Sequence, residues 1–118
     1  MPAKVPDALI HQVERSEGLK FKRKPTLGVY KGNKEVAGEN YVRRERQGGN
    51  VTRVVSARVM LSPVVLSSTK KGLTREGKAT LLHELRENVH YQNKGSESEK
   101  RVHRSAQSHR REDLRFPF

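Results

Sequence analysis

The sequence predicts an α+β protein, an antiparallel β-meander of about four strands followed by two C-terminal helices. Three observations lead there. Val51 to Leu66 holds ten apolar residues in sixteen, with β-branched valine dominant, a composition that favours a strand. Gly32-Asn33 and Gly48-Gly49-Asn50 separate strand-like runs, and these residues tolerate the positive φ of a tight hairpin turn. Paired helix-start signals come late, at Thr74 and at Ser96-Glu97-Ser98-Glu99. Strands first and helices last is an α+β order. The chain fits one domain, 1–118, strand-rich over 1–71 and helical over 72–118.

Taken in order, Asp7 to Glu17 fits a short helix. Asp7 would cap it after Pro6, Leu9, Ile10 and Val13 would share one side, and Gly18 would stop it. An edge strand fits the same residues. From Leu19 to Lys24, lysines alternate with Leu19 and Phe21, a period of two that reads as a strand with a lysine face, ended by Pro25. Leu27 to Lys31, Gly32-Asn33 and the run from Lys34 read as one hairpin, and Glu39 to Gln47 with Val51 to Leu66 as a second. Pro63 should bend that last strand. After a polar connector over 67–72, Thr74 opens a helix to about Gln92 with a stripe of Leu81, Leu82, Leu85 and Val89. The final helix, to about Leu114, has only Val102, Ala106 and Leu114 as its stripe and is expected to be weakly held or to need a partner.

Composition narrows the function. Leu, Val, Ile and Phe make 27 of 118 residues, just above the level of about 20% at which a highly charged chain stays disordered. There is no cysteine, which excludes thiol catalysis and cysteine-ligated zinc. With no apolar run near membrane-spanning length and no apolar segment after Met1, a cytoplasmic location is expected, or a virion if the chain is viral. The net charge is +12, and a surface so positive repels itself unless something anionic is bound. Nucleic acid is the ordinary partner; an anionic membrane would want a basic amphipathic helix with large apolar residues opposite. The surplus is uneven: +9 over residues 1–71, zero over 72–93, and +3 over 94–118.

The second hairpin carries the main candidate site. With Gln47 opposite Val51, one face presents Arg44, Arg46 and Arg58 among Thr52 and Ser56, while Tyr41, Arg43, Glu45, Arg53 and Ala57 fall on the other, the expected core side. Guanidiniums and short hydroxyls suit phosphate and ribose oxygens, and a wide shallow face suits RNA or single strands better than the DNA major groove. Lys20, Lys22 and Lys24 extend the basic surface, Tyr41 could stack on a base, and Arg101 and Arg104 add charge on the last helix.

Other constellations weigh less. Gly72 to Ala79 approaches the phosphate-binding G-x-x-x-x-G-K-[ST] loop but has Ala79 where the Mg²⁺-binding hydroxyl belongs. His83, Glu87 and His90 share a helical face at i, i+4 and i+7, a spacing open to a metal or to acid–base work. His83-Glu84 lacks the second histidine of H-E-x-x-H, so no metal, cofactor or catalytic residue is expected. A small endoribonuclease, and a helix-turn-helix DNA-binding regulator using Arg101, Arg104, Arg110 and Arg111, are alternatives.

The expected function is therefore that of a non-enzymatic structural or accessory protein that binds nucleic acid, RNA in preference to DNA, as a homodimer or in a larger assembly. A meander followed by two helices is similar in layout to the coat proteins of single-stranded RNA phages, which line RNA with a sheet and interlock helices across a dimer. That likeness is one of element order only. A capsid shell or another ribonucleoprotein, including a ribosome-associated one, fits the same composition.

Overall fold

The computed structural model describes residues 3–31, 37–48, 50–63, 75–93, 103–104 and 106–109. Its elements are β1 (Ala3–Lys4), α1 (Asp7–Glu17), β2 (Thr26–Val29), β3 (Gly38–Gln47), β4 (Asn50–Leu61) and α2 (Arg75–Asn93). The strands form one mixed sheet in the order β1-β2-β4-β3. Three strands make the body of that sheet, and two-residue β1 extends its edge.

β4 is the centre for a physical reason. Ala57, Val59 and Leu61 are buried while Ser56 and Arg58, alternating with them, are exposed, so one face of the strand is core and both its edges need hydrogen-bond partners. β3 pairs with one edge, antiparallel. β2 pairs with the other, parallel, from Thr26 opposite Arg58 to Val29 opposite Leu61.

The expected antiparallel meander followed by two helices is thus corrected. A Leu27–Lys31 hairpin with the next strand would leave one edge of the most apolar strand open; instead β2 fills that edge and β3 lies on the far side. Gly32-Asn33 falls outside the described residues. A helix also lies N-terminal to β2, β3 and β4, so the order on which the likeness to phage coat proteins rested is not that of this chain.

α1 forms as the helical reading of Asp7 to Glu17 has it, and Gly18 ends it at φ +66° with its N–H on the Glu14 carbonyl at 2.9 Å. Asp7 is not its cap: Pro6 precedes the helix, with no side-chain capping bond, and its carbonyl accepts from Leu9 and Ile10.

Leu19 to Lys24 is not a strand. Its backbone donors go to side chains: the Phe21 N–H to Glu14 Oε2 at 2.8 Å, and the Lys22 and Arg23 N–H groups to Gln92 Oε1 at 2.8 and 3.1 Å. The alternation of exposed lysines with half-buried Leu19 and Phe21 is real, but it comes from a connector laid on the core.

β4 ends at Leu61, before Pro63, so the expected strand to Leu66 is shorter; residues 64–66 and the connector 67–72 lie outside the described residues. Both helices pack on one sheet face, where Leu9, Ile10 and Val13 of α1 meet Leu81, Leu82, Leu85 and Val89 of α2 over Val59 and Leu61. α2 is more than amphipathic, since every residue from Gly77 to Val89 is buried. Of the expected final helix, His103–Arg104 and Ala106–Gln107 are helical, and Ala106 is buried. Ser108 and His109 form a turn, and Arg101, Val102, Leu114 and the other residues of that segment lie outside the described residues.

Candidate functional site

The two sheet faces are set by register. Glu45 stands opposite Arg53 and Arg44 opposite Val54, as the simple hairpin requires, but the register shifts between Arg43 and Arg44 and again between Glu45 and Arg46. Each shift leaves one residue of β4 unmatched, first Val55 and then Thr52, as β-bulges do. Beyond the first, Arg43 meets Ser56, Val42 meets Ala57 and Tyr41 meets Arg58. A one-residue offset exchanges faces.

The expected site therefore divides. Arg58, Ser56 and Tyr41 share the face away from the helices, and Arg43 and Arg53 join them; all five are exposed. Arg44 goes to the other side, paired with buried Val54, half-buried and already engaged within the protein. Arg43, Arg53 and Tyr41, expected on the core side, are the correction to the face assignment. The side chains of Arg46 and Thr52 lie outside the described residues. By register Lys4 belongs with Thr26 and Arg58, so four cations stand on this face against the carboxylates of Glu39 and Glu45.

Its centre is an ordered group. The Arg58 guanidinium lies over the Tyr41 ring, 4.9 Å from the centroid, a cation–π separation. The Tyr41 hydroxyl donates to Glu39 Oε2 at 3.1 Å, so the 2.8 Å contact with Tyr30 has the Tyr30 hydroxyl donating. Burial, together with the Tyr41 hydroxyl and Glu39, raises the Tyr30 hydroxyl above its ordinary value. Tyr41 is nonetheless 41% exposed. Met60 lies across Gly28 beside it, where a Cβ would come within 2.6 Å of the Met60 sulfur.

The lysines sit elsewhere. Lys20, Lys22 and Lys24 are exposed on the connector tied to the end of α2. Lys24 pairs with Asp7 at 3.1 Å and lowers its carboxyl. Arg104 is exposed in the C-terminal segment. Gly77 and Lys78 of the near-match to the phosphate loop lie inside α2 and are buried.

A second group gathers around α2. Glu84 reaches β3, where Asn40 Nδ2 donates to its Oε1 at 3.0 Å. Burial pushes the Glu84 carboxyl up to about 7 against the lowering by Asn40, and Glu87 adds to the rise. His83, Glu87 and His103 converge, with the two imidazole nitrogens 3.2 Å apart and Glu87 spanning them at 3.5 and 3.4 Å. Glu17, at the end of α1, holds Arg86, His90 and His109 at 3.5, 3.0 and 3.3 Å. Arg86 also donates to Ser16.

The expected face of His83, Glu87 and His90 thus exists but is split. His83 and Glu87 take His103, while His90 takes Glu17. The i, i+4 spacing signalled the first pair; nothing local in the sequence joins His103 or Glu17 to the helix. The histidines are not solvated as exposed helical ones would be: His83 is buried, and its Nδ1 meets no hydrogen-bond partner among the described residues. Among the described residues no helix is long and apolar enough to cross a membrane. No protein-family model, curated protein or solved structure matches the chain.

Proposed function

We propose that the chain binds nucleic acid through the open face of its sheet, single-stranded RNA in preference to duplex DNA. The supporting observation is the exposed Tyr41 ring with the Arg58 guanidinium stacked on it, flanked by exposed Arg43 and Arg53. A ring and a guanidinium plane offer flat surfaces on which unpaired bases stack, and duplex bases are not free to do so. The flanking arginines reach phosphates with forked donors. The Tyr30–Tyr41–Glu39 chain fixes the ring before a base arrives, so less side-chain freedom is lost on binding.

The test is fluorescence anisotropy on a labelled single-stranded RNA and on duplex DNA of the same length, across a salt series. The triple variant Arg43→Ala/Arg53→Ala/Arg58→Ala should flatten the logarithmic salt slope by about 1.4, since the two flanking arginines each lose a phosphate contact that contributes about 0.7 on a single strand. Tyr41→Ala should lower affinity by about 1–3 kcal/mol at every salt concentration, the size of one lost base stack. Arg104→Ala should change little. Binding that survives the triple variant and fails in Arg104→Ala would move the interface to the C-terminal segment and refute the sheet face.

A further inference from the structure

We propose that His83, Glu87 and His103 form a divalent-metal site of the zinc class, which pins the C-terminal segment to α2. This site lies on the helical side of the sheet and is independent of the open face.

Geometry is the first support. His83 Nε2 and His103 Nδ1 are 3.2 Å apart, His83 Nε2 and Glu87 Oε1 3.5 Å, and His103 Nδ1 and Glu87 Oε2 3.4 Å. A tetrahedral ion with metal–ligand bonds of about 2.0–2.2 Å separates its ligand atoms by about 1.63 bond lengths, or about 3.3–3.6 Å. The three groups already stand at the spacing of one tetrahedral face.

Proton counting is the second. If both ring nitrogens carry protons, each can donate to Glu87, but then two N–H groups point at each other across 3.2 Å. If only one is protonated, the other ring presents a lone pair to a carboxylate. With Glu87 ionised, one of the three contacts is repulsive in every tautomer. A cation at the point of convergence makes all three attractive at once, with both rings neutral and the carboxylate ionised.

The scaffold fits the role. His83 and Glu87 are one turn apart on α2, with side chains 10% exposed, whereas the His103 side chain is 60% exposed. Two ligands are held on a rigid element and the third closes from a separate segment at the solvent side, which leaves an entry path. Two imidazoles and one carboxylate select zinc, cobalt or nickel over magnesium or calcium, which prefer all-oxygen shells. Three protein ligands leave the fourth position to water. Among the described residues His83 Nδ1 meets no partner that would orient the ring, a support whose removal weakens a metal site by about 10–100-fold.

Purified full-length protein, stripped with a chelator and dialysed, is titrated with ZnCl2 alone by calorimetry, and in parallel with CoCl2 by absorption. One equivalent should bind with proton release, cobalt should give the intense visible bands of a tetrahedral ion, and magnesium should give no heat. His103→Ala, compared with the wild type in chelator so that any metal-independent loss of stability is read separately, should weaken zinc binding at least tenfold and abolish the zinc-dependent rise in Tm; His109→Ala should not. Zinc affinity unchanged in His103→Ala, an octahedral cobalt spectrum, or no stoichiometric binding would each overturn the site.

Discussion

Gln92 supplies the most direct test of how the helical layer is held. It is fully buried in the last turn of α2 and uses its whole amide. Its Oε1 accepts from the Lys22 and Arg23 N–H groups at 2.8 and 3.1 Å, and its Nε2 donates to the Arg23 carbonyl at 2.9 Å and to Asn88 Oδ1 at 2.7 Å. Gln92→Leu keeps the volume and removes all four bonds. A buried group left without a partner costs about 1–3 kcal/mol. Lys22 and Arg23 are exposed residues, so water recovers part of that loss for their three backbone groups, and the low end applies. With about 1 kcal/mol for each of these three groups and at least as much for Asn88 Oδ1, whose residue is fully buried, the sum is about 4 kcal/mol. Urea denaturation followed by circular dichroism reads it as a midpoint lowered by about 1–4 M, given slopes of about 1–3 kcal/mol per molar urea. Hydrogen exchange of the Lys22 and Arg23 amides should quicken beyond the global change, while the Phe21 amide, held by Glu14, should follow it. A loss below about 1 kcal/mol with both amides still protected would show that the connector is held by Leu19 and Phe21 packing, and the reasoning would be wrong.

Two glycines on the sheet should respond unequally to alanine. In Gly38→Ala the new Cβ meets Thr80 Cγ2 at 2.9 Å and Leu61 Cδ2 at 3.2 Å, stiff groups in the core, so overpacking should cost about 1–3 kcal/mol in urea denaturation. In Gly28→Ala it meets only the sulfur and methyl of flexible Met60, so the loss should stay below about 1 kcal/mol. Glu84 should give stability a pH dependence. Its folded-state carboxyl is raised from the ordinary 4.5 to about 7, so its contribution is complete below pH 4.5 and lost as pH rises through about 7. In chelator, Glu84→Gln, which keeps an acceptor for Asn40, should remove a stability loss on the order of 3 kcal/mol between pH 4.5 and 8; an unchanged pH profile would refute it.

What the sequence shows and what it hides divide along one line. The leucine stripe of α2, the Gly18 stop and the long apolar β4 are legible because each depends on local periodicity or on a single conformational demand. Strand order is not local. That β2 would leave its neighbour and pair with β4 in parallel depends on which edge most needs filling, and Leu27 to Lys31 carries no mark of it. Register hides for a different reason. Ala57 and Arg58 fit the alternation of β4 equally well in either setting, and the unmatched Val55 and Thr52 decide which side Tyr41 and Arg44 face. The arginine-rich sheet face was legible as a kind of surface, while its membership was not.

The lean core has the same origin. Leu, Val, Ile and Phe barely reach the proportion a folded chain needs, and a partner would ordinarily supply the missing contacts. α2 supplies another source within the chain. Residues from Gly77 to Val89 are buried on every side, so Lys78, Thr80, His83, Glu84, Arg86, Glu87 and Asn88 count toward the interior although composition scores them as surface. Such a polar interior is stable only if its groups meet partners. Asn40 of β3, Ser16 and Glu17 at the end of α1, and His103 of the C-terminal segment meet them from three different parts of the chain. Apolar layers tolerate exchange of side chains of similar size. A helix held this way does not, because each polar pair has one geometry. The substitutions that most damage this protein should therefore fall at polar residues of α2 and their partners, ahead of leucine-to-methionine changes at Leu81, Leu82 or Leu85.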